Sequence, residues 1–114
     1  MSKPGAINPG EALRLVDLIT PAAHGIASRV LAKAAGGNVT LFAFDSGEEL
    51  SEHTAPFDAF ALVLDGGMTV TVGGRAVDAT PGTIVRMPAN VPHAVQAREP
   101  SRLLLIMLRE PAPQ

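Results

Sequence analysis

The stretch that decides the fold is GEELSEHTAPFDAFALVLDG, which runs from Gly47 to Gly66. A second stretch, GTIVRMPANVPH, runs from Gly82 to His93. Each combines turn residues, a run rich in β-forming residues and one histidine. Together they predict short strands joined by tight turns, with His53 just before one strand and His93 at the start of another.

Composition narrows the class of protein. The 114 residues suit one domain, and 46% hydrophobic against 18% charged residues indicates a folded chain. The net charge of −2, with no run of Lys or Arg, argues against nucleic-acid binding. The absence of cysteine excludes disulfides and thiolate metal sites. No signal-peptide core and no apolar run of about 20 residues is present, so we expect a reduced, cytoplasmic protein that does not enter membranes.

Strand signals recur along most of the chain, separated by turns rich in Gly, Pro and Asn. The predicted strands are residues 26–31, 38–45, 58–64, 68–72, 75–79, 83–87, 93–97 and 103–109. No helical pattern lies between them, which excludes a parallel α/β architecture. Many short strands at this spacing predict an all-β sandwich or barrel.

Three segments follow from this pattern. Residues 1–25 form an N-terminal arm and a first element that packs on the barrel or on a partner subunit. Within it, residues 11–20 fit either a helix or a short strand. Residues 26–109 form the β-barrel, and residues 110–114 form a tail that we expect to fray.

Two of the predicted strands are apolar on both faces. Residues 58–64 place three apolar side chains on each face, and all residues from Leu103 to Leu108 are apolar. A strand with one face in water alternates with polar residues, so these strands must be covered twice. One cover is the barrel interior, and the other is the N-terminal segment or a second subunit. We therefore predict a homodimer.

The first stretch resembles the first motif of the cupin superfamily, which consists of small barrels of the double-stranded β-helix, or jelly-roll, type. In that motif a Gly is followed, after five residues, by His-x-His, then by a Glu and a Gly. Gly47, His53 and Gly66 match. Ala55 and Ala59 stand where the second His and the Glu would be.

The second stretch resembles the second cupin motif. Gly82, Pro88 and His93 match, Asn90 stands at the turn glycine, and Ala97 stands where an Asn is usual. We expect Asn90 to adopt the left-handed conformation. The resemblance implies a small stand-alone bacterial cupin, an RmlC-like jelly roll over residues 26–109, with a reduced metal motif.

The resemblance also implies what a metal site would need. Cupins with the full motifs hold Fe, Mn, Ni, Cu or Zn through two His and a Glu of the first motif and the His of the second. Here only His53 and His93 remain, so the cofactor is either one divalent transition metal or none. A third ligand would have to come from elsewhere in the chain, and the candidates are Met107, Gln96 and His24.

Three interpretations of the histidines stay open. His53 and His93 are hydrogen-bonded polar core residues, two ligands of a metal, or a metal-free acid–base pair. Ala55 and Ala59 enlarge the interior and make it more apolar. A pocket lined by these four residues suits a small organic ligand with one polar group near the histidines.

The function classes remain correspondingly broad. One is a small-molecule binding or sensing module, and another is a metal-dependent enzyme of the oxygenase or isomerase type. A third is a catalytically silent scaffold. Fold alone does not choose among them, and whether the chain is an enzyme stays open.

Overall fold

The computed structural model describes residues 4–110, and within them the chain forms nine strands and a short 3₁₀ helix at Leu15–Asp17. The strands are β1 (Ile26–Ala34), β2 (Gly37–Phe44), β3 (Glu49–His53), β4 (Asp58–Asp65), β5 (Met68–Val72), β6 (Arg75–Ala79), β7 (Ile84–Met87), β8 (His93–Ala97) and β9 (Ser101–Leu108). The predicted tail lies outside the described residues from residue 111 onward, as do residues 1–3 of the arm.

The strands form two antiparallel sheets. One has the order β1-β2-β9-β4-β7 and the other the order β3-β8-β5-β6. The predicted all-β jelly roll is therefore confirmed. No helix among residues 4–110 is long and apolar enough to cross a membrane.

The main core fills the space between the sheets. Alternation along β4 directs Ala59, Ala61 and Val63 into it, while Leu62 and Leu64 face the other way. The buried members of this core are Phe44, Ala59, Ala61, Val63, Met68, Val70, Ala79, Met87, Val95, Ala97 and Leu103. The inner face of β4 is thus built from its smaller side chains, which leaves room inside the barrel.

The N-terminal segment covers part of the outer face of the five-stranded sheet. Its side chains join a second buried cluster there, which consists of Ile19, Leu41, Ala43 and Leu104. Two arginines hold the backbone of this segment: Arg29 donates to the carbonyl of Leu18 at 3.0 Å, and Arg102 donates to that of Ile19 at 2.8 Å. Farther along the same outer face, Ile84 and Leu108 remain 59% and 52% exposed.

Two local predictions differ from the structure. Residues 11–20 contain only the 3₁₀ turn at Leu15–Asp17, because docking on the sheet buries Ile19 and partly buries Leu15 and Leu18 without regular structure. Strand β3, which begins at Glu49, has no counterpart among the predicted strands. Its pattern gave no strand signal because β3 is a sheet edge in which Leu50 alone is partly buried.

Candidate functional site

A β-bulge in β3 turns His53 toward the interior. Leu50 pairs with Val95 and His53 pairs with His93, so three steps along β3 match two along β8. Without the extra residue, simple alternation from the inward Leu50 would point His53 to solvent. The bulge reverses that alternation and aligns the two histidines across the strand pair.

The turns that precede β4 and β8 are tied together. The backbone N–H of Asn90 donates to the carbonyl of Ala55 at 2.8 Å. The N–H of Ala89 donates to the Asp58 carboxylate at 2.9 Å, and Arg86 donates to the same carboxylate at 2.9 Å. Asn90 has φ 63°, which confirms its predicted left-handed conformation. These bonds fix the loop that leads into His93 against the loop that follows His53.

The imidazoles of His53 and His93 meet at their Nε2 atoms, which are 3.1 Å apart. Their ring centroids are 4.4 Å apart and the rings are inclined at 72°. His93 is 5% exposed, whereas His53 is exposed and lies at the rim of the interior. The two histidines singled out in the sequence are therefore in direct contact.

Each imidazole also contacts a backbone carbonyl through its other nitrogen. His53 Nδ1 lies 2.7 Å from the carbonyl oxygen of Ser51, and His93 Nδ1 lies 3.2 Å from that of Val91. Since carbonyls only accept hydrogen bonds, these contacts assign the protons to Nδ1. Both Nε2 atoms then present lone pairs to each other.

Counting protons shows that this chain of contacts is incomplete. Three contacts run from Ser51 through the two rings to Val91, and each needs one proton. Two neutral imidazoles carry only two. Moving a proton to Nε2 of His93 would satisfy the ring–ring contact but leave its Nδ1 facing the Val91 carbonyl. The lone pairs of the neutral pair can therefore take one further partner, which is a proton, a metal ion or a hydrogen-bond donor of a ligand.

Burial makes His93 a neutral imidazole at pH 7. Removal from water, followed by electrostatic repulsion from His53, lowers the pKa of His93 below its ordinary value of 6.5. The Val91 carbonyl opposes this shift without cancelling it. His93 thus offers a hydrogen-bond acceptor at its Nε2 atom.

A cavity of about 140 Å³ lies beside the pair, between the two sheets. Apart from the histidines, the residues that line it in the described structure are apolar: Leu50, Ala55, Phe57, Ala59, Met87, Val95, Leu103, Leu105 and Met107. A cavity of about this size lined by apolar side chains holds a molecule such as benzene. The site therefore combines an apolar chamber with one polar point.

The candidate residues divide clearly between this cavity and the surface. Ala55, Ala59 and Met107 line the cavity with the two histidines. Gln96, also named as a candidate ligand, lies on the outward face of β8 and is exposed, while His93 and Val95 face inward. His24 lies in an exposed loop, where its backbone N–H donates to Asp45, and it does not line the cavity.

Sequence reasoning missed part of the cavity wall. Phe57 closes one side, and its ring lies 5.5 Å from the guanidinium carbon of Arg109. Phe57 directly follows residues 53–56, the HTAP segment of the first motif. Its closeness to His53 in the sequence was the feature from which its place in the cavity wall could have been predicted. Leu50 was missed with the rest of β3.

The comparison with known families rests on residues 40–108, which match the model of the cupin domain. The chain belongs to the cupin family. A solved cupin superfamily protein from Desulfitobacterium hafniense is 26% identical, covers 96% of this chain and 100% of its own, and gives a TM-score of 0.87. No curated protein matches the sequence.

Two further solved structures resemble this cupin. A conserved protein of unknown function from Streptococcus pyogenes is 28% identical over 98% of both chains, with a TM-score of 0.90. A cupin 2 conserved barrel domain protein from Leptotrichia buccalis is 33% identical over 85% of this chain and 47% of its own, with a TM-score of 0.82. These likenesses extend the family assignment to nearly the whole chain and assign no specific activity.

The donor set meets only part of what a cupin metal requires. Two nitrogens bound to one ion at about 2.0–2.1 Å lie within about 4.2 Å of each other, and 3.1 Å satisfies that limit. Ala55 and Ala59 offer no ligand atom. Among residues 4–110, no three His, Cys, Asp or Glu side chains come close enough to hold an ion. The full ligand set of the family does not fit this site.

Proposed function

We propose that this cupin binds a small, largely apolar organic molecule inside the barrel, next to His53 and His93. The observation that carries the proposal is the cavity of about 140 Å³, whose apolar wall is interrupted only by the two imidazoles among the described residues. Filling such a space removes apolar ligand surface from water, and one polar group orients the ligand. Binding without chemistry, as in a sensor, is the simplest function consistent with this wall.

Thermal unfolding with a panel of small aromatic and aliphatic compounds tests the proposal. A ligand present at 100 times its Kd stabilises the fold by about 2.7 kcal/mol, or roughly 10 °C in a domain of this size. The variant Ala59→Leu should lose this response, because the added side chain occupies the cavity. If no compound of this size shifts the transition of the wild type more than that of the variant, the proposal is wrong.

A metal-dependent enzyme, by family likeness an oxygenase or isomerase, is the second candidate. One observation favours it: the two Nε2 atoms converge at a separation that one transition-metal ion accommodates. Met87 and Met107 on the cavity wall are the remaining described side chains with a ligand atom, in each case a soft sulfur that suits Cu(I) better than harder ions. Stoichiometric Fe, Cu, Ni, Mn or Zn, lost in both His53→Ala and His93→Ala, would establish the metal site that this candidate requires. Absence of metal after growth with each ion would eliminate it.

We also propose that the protein is a cytoplasmic homodimer. Support comes from the outer face of the five-stranded sheet, where Ile84 and Leu108 stay more than half exposed beside the partly buried Leu62 and Ile106. A second copy is the partner that would cover this apolar surface. Sedimentation at micromolar concentration should give twice the chain mass, and Ile84→Glu should give a single chain. A monomeric wild type would contradict the dimer.

A further inference from the structure

Among residues 4–110, the two Nε2 atoms are the polar side-chain atoms of the cavity wall that lack a hydrogen-bond donor. Each Nδ1 is used by a backbone carbonyl, of Ser51 and of Val91, so the two Nε2 lone pairs face each other at 3.1 Å. Two acceptors at that distance repel unless a donor approaches both. The cavity opens directly beside them.

We infer that the cavity selects molecules that carry one hydrogen-bond donor, an O–H or N–H group, on a small apolar body, and that both Nε2 atoms hold this donor. Alcohols, phenols and protonated carboxylic acids belong to this class. Ethers, ketones and halides of the same shape do not, because they would bring another lone pair to a point that already has two. This inference rests on the proposed binding function and specifies its ligand.

The geometry suits one donor shared by two acceptors. A donor atom about 2.9 Å from each Nε2 would see the two nitrogens at an angle of about 65°. One hydrogen directed between them makes a three-centre bond, an arrangement that proteins use elsewhere.

Size restricts the class further. The volume of about 140 Å³ is close to that of an apolar cavity that holds benzene, which has about six non-hydrogen atoms. Typical cavities for drug-sized ligands measure about 300 Å³ or more, so larger ring systems would not fit. Phenol and fluorobenzene are therefore a matched probe pair, since they share shape and size and differ in the donor.

The experiment is a comparison of the dissociation constants of phenol and fluorobenzene for the wild-type protein, measured by NMR titration at pH 7 after dialysis against EDTA. Leaving a buried acceptor without a partner costs enough to predict at least about tenfold tighter binding of phenol. His53→Ala and His93→Leu should reduce this preference to about twofold or less, because each removes one of the two acceptors. Ala59→Leu should weaken both compounds together, which checks that they occupy the cavity.

Each other outcome has a definite meaning. Equal binding of the two probes to the wild type would overturn the donor inference and leave the small-molecule cavity standing. Binding of neither probe to protein with a folded NMR spectrum would overturn the inference and the proposed function together. A preference for phenol that is present before the EDTA treatment and lost after it would assign the selectivity to a metal ion, and would also refute the inference.

Discussion

Ala59→Leu is the substitution that most directly tests whether the interior of the barrel is open space. Ala59 is 3% exposed and lies on β4 between Met87 and Met107, its neighbours on the adjacent strands, with which it lines the cavity. Filling all of the cavity of about 140 Å³ would recover about 3.4 kcal/mol at about 24 cal/mol per Å³. Leucine adds three carbon atoms to alanine, which corresponds to about 2.4 kcal/mol at about 0.8 kcal/mol each.

Part of that gain is lost to strain, because a new side chain rarely fits an existing space in its best rotamer. Overpacking strain is typically about 1–3 kcal/mol, so we expect Ala59→Leu to raise the free energy of unfolding by about 1 kcal/mol. The matched control is Ala61→Leu, two residues along the same inner face. Ala61 is fully buried but does not line the cavity, so the same three carbons should cost about 1–3 kcal/mol there.

Urea and thermal unfolding of the two variants measure this difference. For a domain of this size, 1 kcal/mol shifts Tm by about 4 °C, so the variants should unfold at least about 8 °C apart, on opposite sides of the wild type. If Ala59→Leu is destabilised as much as Ala61→Leu, the space next to Ala59 is not available to a side chain, and the cavity could not accept a ligand there either.

Three further substitutions test the framework around the site. The hydrogen bond from Ala89 N–H, together with that from Arg86, lowers the pKa of the Asp58 carboxyl below its ordinary value of 3.8 in the folded protein. The ionised carboxylate therefore stabilises the fold above pH 3.8, and this stabilisation is lost as the pH falls through the lower pKa of the folded state. Asp58→Asn should therefore destabilise the protein at pH 7 in urea unfolding, and the difference from the wild type should shrink below pH 3.8. Gly37→Ala should lower the free energy of unfolding by about 3 kcal/mol or more, because Gly37 has φ +149° and an added Cβ would collide with the Met107 carbonyl. An unfolding free energy within error of that of the wild type would contradict this prediction. Ser101→Ala should lower the free energy of unfolding by about 1–3 kcal/mol, because the buried hydroxyl accepts a hydrogen bond from Gly67 N–H at 3.1 Å and donates one to the Glu99 carbonyl at 2.8 Å. The control Ser46→Ala removes an exposed hydroxyl and should change the free energy of unfolding little.

The fold was predictable where strands are covered on both faces or joined by tight turns. The doubly apolar segments became β4 and β9, and Gly73-Gly74, with φ of 57° and 82°, closes the hairpin between β5 and β6. β3 escaped prediction because an edge strand with one partly buried residue has no period-2 hydrophobic pattern. The conformation of the N-terminal segment was not predictable for a related reason. Its apolar residues pack on the sheet, and this packing does not require a regular helix or strand.

The candidate site depended on register, which sequence alone does not contain. His53 and His93 could be named from the motif resemblance, but their contact follows from the pairing of β3 with β8 and from the bulge after Leu50. A one-residue difference in that pairing would have turned His53 to solvent. The proton count of the pair depends in turn on two backbone carbonyls, of Ser51 and Val91, which no side-chain pattern identifies.

Ala55 and Ala59 link the missing metal ligands to the cavity. Both positions, at which the family motif has a His and a Glu, line the cavity, and alanine leaves their space open. The same two alanines leave out the side chains that would help to hold a metal ion on the Nε2 lone pairs of His53 and His93. A barrel altered in this way has an apolar chamber and, within it, two acceptors that need one donor. Loss of the metal ligands and creation of a chamber suited to a donor-bearing molecule are therefore two consequences of one change in side-chain size and polarity.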